Sequence, residues 1–243
     1  MYLLGIRPSG TKGIHLGHYI GVFSVAKKLD NVNILIADLY EDCTNVELFT
    51  KQIQQLLPNA NLILQSNFEN DLLKIKANLE KIVNVSELAR MTQYKSGTQK
   101  QTASLLTYPL LMCADLMMFG SQMQIIVGKD QNQHIEYAND FIKRYAKHYN
   151  KPYNVVKTFT VEPLTVMDLK NPEIKMSKSN EEKGTLYFLE KELISKKITG
   201  ANTNELGLQN LNNIYAALTN EPSQFTKTLE LKEAIIQKLT NLI

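Results

Sequence analysis

Two apolar periods alternate along the first sixty residues. Leu3 to Ile6 is a short apolar run closed by Arg7-Pro8-Ser9-Gly10, a turn-forming stretch, and predicts a buried strand. From Gly17 to Leu29 the apolar residues Ile20, Val22, Phe23, Val25, Ala26 and Leu29 fall near helical spacing. Asn33 to Ala37 predicts a second strand ending at Asp38, and a helix over roughly 46–57 stops at Pro58. Leu62 to Leu64 predicts a third strand. Strand and helix in alternation imply parallel pairing with crossover helices, hence a doubly wound α/β sheet.

Residues 69–119 carry no strand signal and read as a helical insertion between two halves of the sheet. Gln124 to Val127 predicts another strand, followed by a loop at Gly128-Lys129-Asp130 and a long helix through about His148. The polar stretch 151–184, with Pro152, Pro163, Pro172 and Gly184, predicts loops and short elements. Beyond Thr185 the chain reads as wholly helical, with breaks at Gly200, Gly207 and Pro222. The expected organisation is a catalytic domain over 1–183 and a small all-helical domain over 184–243.

Composition narrows the class without naming a chemistry. A chain of 243 residues, 44% hydrophobic and 21% charged, can bury a core without disulfides or a structural metal. Cys43 and Cys113 are far apart and form no metal-like spacing, so no zinc or iron–sulfur site is expected and a reduced, cytoplasmic setting fits best. Arg7, Pro8 and Gly10 interrupt the N-terminus before a signal-like apolar run develops. Leu105 to Phe119 is the most apolar stretch, but Pro109 and Asp115 break it and it is too short to span a bilayer, so no membrane partner is expected. Residues 143–200 hold 12 Lys/Arg against 7 Asp/Glu, a local +5 within a net +3. Such a flank is mildly basic, fits a solvated surface as well as a nucleic-acid face, and does not point to DNA.

Two short motifs carry the candidate chemistry. His15-Leu16-Gly17-His18 follows the first strand, where open α/β sheets bind ligands. Gly17 lets a nucleotide approach the backbone, the helix start favours phosphate, and the imidazoles donate to phosphate oxygens. Far downstream, Lys175-Met176-Ser177-Lys178-Ser179 offers two ammonium groups separated by small hydroxyl residues. These suit neutralising charge on a departing pyrophosphate. Either motif alone also reads as an exposed loop. Together and in this order they suggest an ATP site assembled from two distant segments.

With these motifs stand Arg7-Pro8-Ser9-Gly10, Glu87-Leu88-Ala89-Arg90-Met91-Thr92-Gln93-Tyr94-Lys95, the block Leu106 to Asp115, and Val127 to Glu136. As a set they resemble the class I aminoacyl-tRNA synthetases, and within them the tryptophan-specific enzymes rather than the tyrosine-specific ones. The resemblance covers about residues 3–180 and, more loosely, Asn210 to Tyr215. It implies a Rossmann-like fold, ATP with Mg2+ as co-substrate, L-tryptophan and tRNA(Trp) as partners, and a cytoplasmic homodimer. By position it implies catalytic roles for His15, His18, Lys175 and Lys178. Arg7, Pro8, Ser9, Gly17, Gly128, Lys129, Asp130, Val166, Met176, Ser177 and Ser179 would contact ATP, with Gly128 and Asp130 at the ribose and the Val166 backbone at the adenine. Tyr108 and Gln131 would hold the amino-acid head group. Met112 would pack on the indole and Asp115 would accept its N–H. Independently, a carboxylate inside so apolar a helix requires a partner, and a pocket built on it rejects Phe or Leu.

The chain departs from the family pattern in three ways. Many bacterial tryptophan enzymes carry Thr-x-Gly-Asn where this chain has both histidines. Arg7 stands where a Gln is common. The helical part after the lysine loop is short and is expected to lack the family's final long helix. Two rival readings accompany these departures: a tyrosine-specific synthetase, and a truncated paralogue that binds tryptophan or adenylate as a sensor and charges no tRNA.

Overall fold

The computed structural model describes residues 1–40, 43–95, 100–128, 131–161, 164–177, 184–188 and 191–242. In chain order the elements are β1 (Tyr2–Ile6), α1 (Leu16–His18), a π-helical turn (Tyr19–Phe23), α2 (Ser24–Ala26), β2 (Val32–Ile36), α3 (Val46–Leu56) and β3 (Asn61–Leu64). A 3-10 turn (Gln65–Phe68), α4 (Glu69–Glu80), α5 (Val85–Leu88), α6 (Thr92–Lys95) and α7 (Ala103–Phe119) follow. A second 3-10 turn (Gly120–Gln122) leads into β4 (Gln124–Gly128), α8 (Asn132–Tyr149), β5 (Lys157–Val161), α9 (Lys191–Thr199), α10 (Glu205–Thr219) and α11 (Thr228–Leu242).

The chain divides into two compact units. The first comprises Met1–Arg7, Asn31–Glu41 and Asn61–Thr160. Its five-stranded sheet has the order β3-β2-β1-β4-β5, with β1 parallel to both β2 and β4 and β2 parallel to β3. The register places Leu4 opposite Ile34 and Tyr2 opposite Gln124. Strand order reverses between β1 and β4, so their carboxyl ends, at Ile6 and Gly128, flank the switch point where such sheets bind ligands. Leu3, Leu35 and Ile125 of the sheet pack in one core with Leu110 and Cys113 of α7 and Phe141 of α8. α7 has eight buried residues, which explains a sequence apolar almost all round. Among the described residues no helix is long and apolar enough to cross a membrane.

The second unit comprises Pro8–Asp30, Asp42–Ala60 and Val161–Ile243. Ile14, Leu16, Phe23, Phe49, Ile53, Ile214 and Ile235 are buried there, and α11 packs on both α9 and α10. Asn220 closes α10 in the left-handed conformation (φ 61°), with its amide on the Ala216 carbonyl.

The doubly wound sheet with its helical insertion matches the expectation, and four local readings change. The first helix is interrupted by the π turn and ends at Ala26 rather than Leu29; that turn contains Gly21, a weak helix former. Residues 185–188 are not helical: Leu16 donates to the Leu186 carbonyl and Phe188 to the Ile14 carbonyl, so this stretch pairs as extended backbone. Gly207 is the third residue of α10, not a break, because its amide completes the cap by donating to Asn204 Oδ1 at 2.8 Å. β5 emerges from the stretch read as loops; four of its five residues are not buried, so no apolar run announced it.

Candidate active site

The histidine turn is built by its own backbone. His15 is the extended N-cap residue (φ −105°, ψ 166°) of the helical run that starts at Leu16. Its Nδ1 accepts the His18 amide at 3.3 Å, while His18 Nδ1 accepts the His15 amide at 3.4 Å. This is a capping box made of two imidazoles. A neutral ring whose Nδ1 accepts carries its hydrogen on Nε2, which leaves each imidazole an N–H on its other side. The rings stack at 3.7 Å between centroids and 21° between planes. Gly17 eases that stack: a Cβ there would lie 3.0 Å from His15 Cε1 and Nδ1, closer than side chains ordinarily pack.

The approach to this turn is held from α3. Buried Gln52 accepts the Ile14 amide at 2.8 Å. Gly13, at φ 81°, leaves room for it, since a Cβ would fall 2.1 Å from Gln52 Oε1. Buried Tyr187 packs edge-on against His15, and Lys12 and Lys197 lie 5.6 and 5.9 Å from its ring centroid.

The lysine motif begins on a short antiparallel hairpin. Met167 bridges to Lys175, Met176 donates to the Val166 carbonyl at 2.9 Å, and Asp168 donates to the Ile174 carbonyl at 2.9 Å. The turn is tightened by buried Asp168, whose Oδ1 accepts the amides of Lys170 and Asn171. Asn210, buried on α10, grips the Met167 peptide from both sides, accepting its N–H and donating to its carbonyl, each at 2.9 Å. Thr185 Oγ1 donates to the Ser177 carbonyl at 2.9 Å. Met176 and Val166 are buried whereas Lys175 is exposed. A Cβ on Gly17 would come 3.8 Å from Met176 Cβ, so the histidine turn and the start of the lysine motif are neighbours within this unit.

The remaining candidates belong to the first unit. Asp115, 5% exposed on α7, receives Gln65 Nε2 at 2.8 Å on both carboxylate oxygens. Gln65, 0% exposed, accepts the Leu39 amide at 3.0 Å with its other end. Burial pushes the Asp115 carboxyl up to about 7, opposed by the Gln65 bonds and reinforced by Asp38. Asp38 itself accepts the amide and hydroxyl of Ser66. Tyr108 Oη lies 3.2 Å from His134 Nε2, and burial pushes its hydroxyl up to about 12 against the pull of Arg7. Arg7 sits 5.9 Å from the Tyr40 ring centroid. Half-buried Met112 packs against the main core, Gln131 is the N-cap residue of α8, and Gly128 closes β4. A bidentate pair from Arg144 to Glu87, at 2.9 and 2.8 Å, ties α8 to α5 and holds the Glu87 carboxyl down to about 2.

Pro8 is buried, and Ser9 bridges to Cys43 within the second unit. Lys129, Asp130, Lys178 and Ser179 lie outside the described residues. Gln65, Gln52, His134 and Asn210 were not assigned from the sequence. For Gln65 a signal existed: it directly follows the carboxyl end of β3, where site residues of such sheets gather. For Gln52 and Asn210, amides on amphipathic helices, nothing in the spacing marked them.

The family described as tRNA synthetases class I (W and Y) matches residues 1–241. A tryptophan–tRNA ligase of Ureaplasma parvum is 31% identical over 89% of this chain and 76% of its own length. One from Malacoplasma penetrans is 33% identical over 87% and 74%. Among solved structures, tryptophanyl-tRNA synthetase from Mycoplasma pneumoniae superposes with a TM-score of 0.78 at 28% identity, covering 99% of this chain and 84% of that one. The Campylobacter jejuni tryptophanyl-tRNA synthetase complexed with ADP and tryptophan shares the fold, with a TM-score of 0.73 at 20% identity over 99% and 87%.

Proposed function

Because this chain belongs to the class I tRNA synthetases of the tryptophan and tyrosine type, we propose that it is the tryptophan–tRNA ligase of its cell. The observation that carries the choice of amino acid is Asp115, a buried carboxylate on an apolar helix, held at both oxygens. An acceptor fixed in apolar surroundings suits an indole N–H and penalises side chains that leave it unsatisfied.

In the reaction, a tryptophan carboxylate oxygen attacks the α-phosphorus of ATP. The bond to the pyrophosphate oxygen breaks, leaving tryptophanyl-adenylate. A terminal ribose hydroxyl of tRNA(Trp) then attacks the adenylate carbonyl carbon and AMP departs. Tyr108 and Gln131 orient the amino-acid head group, and Met112 lines the ring. Gly128 and Asp130 meet the ribose, with Lys129 beside them, and the Val166 backbone meets the adenine. Nε2–H donors of His15 and His18 receive charge on the phosphates, next to the Gly17 backbone. Lys175 and Lys178, with Met176, Ser177 and Ser179 setting their spacing, balance the charge on leaving pyrophosphate. Arg7, Pro8 and Ser9 complete the nucleotide contacts. Mg2+ enters carried by the phosphates of ATP. Alignment and electrostatic stabilisation supply the catalysis, without a covalent enzyme intermediate.

Family membership also supports a cytoplasmic homodimer, with residues 184–243 turned to tRNA. Pyrophosphate exchange run with tryptophan or tyrosine, alongside charging of tRNA(Trp), tests the reading. Tryptophan-dependent exchange with charging is the expected result. Tyrosine dependence overturns the amino-acid assignment, exchange without charging keeps the activation step and overturns transfer to this tRNA, and neither activity from a well-folded protein overturns the enzyme in favour of a sensor. Lys178→Ala is expected to lower exchange about 10²–10³-fold while tryptophan still binds.

A further inference from the structure

Among the described residues the side-chain hydrogen bonds of Asp115 come from Gln65, and their geometry is unusual. A single nitrogen, Gln65 Nε2, lies 2.8 Å from both Oδ1 and Oδ2, so it sits on the bisector of the carboxylate. A carboxylate has about four lone-pair directions, two facing the bisector and two facing away. With the inner pair engaged by Gln65, the outer ones remain the directions along which Asp115 accepts a ligand. The orientation of the amide is determined twice over. Turned by 180°, its oxygen would face the carboxylate and its NH2 would face the Leu39 amide, which now donates to Oε1 at 3.0 Å. Gln65 is 0% exposed, so no bulk water replaces either bond if the side chain is removed.

We infer that Gln65 is a positioning residue for amino-acid specificity: it aims the Asp115 carboxylate so that an outer lone pair meets the indole N–H. This inference rests on the proposed reading of Asp115 as the indole acceptor. Gln65 touches no reacting atom. Its effect therefore falls on recognition of the ring nitrogen and on KM, not on the phosphoryl step.

The discriminating ligand pair is tryptophan and its benzothiophene counterpart, in which sulfur replaces the ring N–H. Pyrophosphate exchange gives kcat and KM for both with wild type, Gln65→Met, Gln65→Glu and Asp115→Asn. Gln65→Met keeps length and packing but neither bond. It is expected to raise KM for tryptophan at least about tenfold, to change kcat far less, and to erase most of the preference for tryptophan over the sulfur analogue. Gln65→Glu keeps an acceptor for the Leu39 amide and donates to Asp115 only while protonated. Its tryptophan KM relative to wild type should thus lie nearest unity at the acid end and grow as pH rises, a profile that loss of packing does not produce. The groups bearing on that profile are the new carboxyl, Asp115, Asp38 and the Cys113 thiol. If Asp115→Asn loses the preference while both Gln65 variants retain it, the positioning role is overturned and the acceptor role survives. If Asp115→Asn itself keeps the preference, the acceptor reading falls and the inference with it. Should Gln65→Met fail to fold, the Gln65→Glu profile decides alone, and a profile parallel to wild type overturns the inference.

Discussion

Replacing Asp115 by Asn is expected to make the protein more stable in alkaline solution and less stable in acid. Unfolded, this carboxyl loses its proton near pH 4; folded, burial holds the proton until about pH 7. A group whose folded pKa is raised contributes stability that is fully present below its unfolded pKa and is lost as pH rises through the folded one. A rise from 3.8 to about 7 corresponds to about 4 kcal/mol between the two limits. Between about pH 5 and pH 8.5 roughly 3 kcal/mol of that is lost, most of it below pH 7. With the side chain 5% exposed, no discount for solvent screening applies. The Asn side chain keeps one bond to Gln65 and opposes its NH2 to the other, a pH-independent loss of about 1–2 kcal/mol. Urea unfolding followed by circular dichroism, at several pH values, gives variant minus wild type. That difference should be negative near pH 4, pass through zero around pH 5 and be positive by pH 8.5, rising by about 3 kcal/mol between pH 5 and 8.5. Parallel curves for the two proteins would refute the claim that Asp115 is held protonated by burial.

Three further outcomes follow from the geometry. Tryptophan binding favours the ionised Asp115, so KM for tryptophan should rise several-fold as pH falls from about 8 to 6, with KM for ATP flat by comparison; an unchanged tryptophan KM counts against the acceptor role. Gly17→Ala crowds the His15 ring, with a Cβ 3.0 Å from Cε1 and Nδ1, and should reduce exchange about tenfold while leaving tryptophan affinity intact. That affinity is directly readable, because the chain has no Trp and ligand fluorescence stands against tyrosine alone. Arg144→Ala should destabilise by about 1 kcal/mol at neutral pH, after allowance for partial exposure, and by nothing near pH 2. The depressed Glu87 pKa makes that stability present above about 4.5 and lost as pH falls towards 2, which thermal melts at the two extremes will read.

The sheet was legible because its strands are short apolar runs with sharp polar stops, such as Asn33 to Asp38, and because helices separate them. β5 was not, since strands carry their signal through burial and Lys157-Thr158-Phe159-Thr160 presents little of it. Candidate residues such as His15, Gly17 and Asp115 stood out by motif or by being charged in an apolar helix. Their supports did not. Gln65, Gln52 and Asn210 act by pairing with groups far away in sequence, 50, 38 and 43 residues distant. A buried amide looks like any surface amide until its partner is known. Gly207 misled for a related reason: a glycine reads as a stop, but Asn204 and its cap turn that position into a helix start.

Asn210 sets a condition on exchanging parts between relatives. The C-terminal helices look like a module to be swapped when tRNA preference is to be changed, yet α10 carries the amide that grips Met167, one peptide from Val166 and paired with Lys175. A donor segment without an asparagine at that register would leave a half-buried N–H and carbonyl of the recipient without that partner. Grafting for tRNA choice would then disturb the hairpin of Met167 and Lys175 at the same stroke. The exchangeable piece therefore begins after Asn210, or else must import its equivalent.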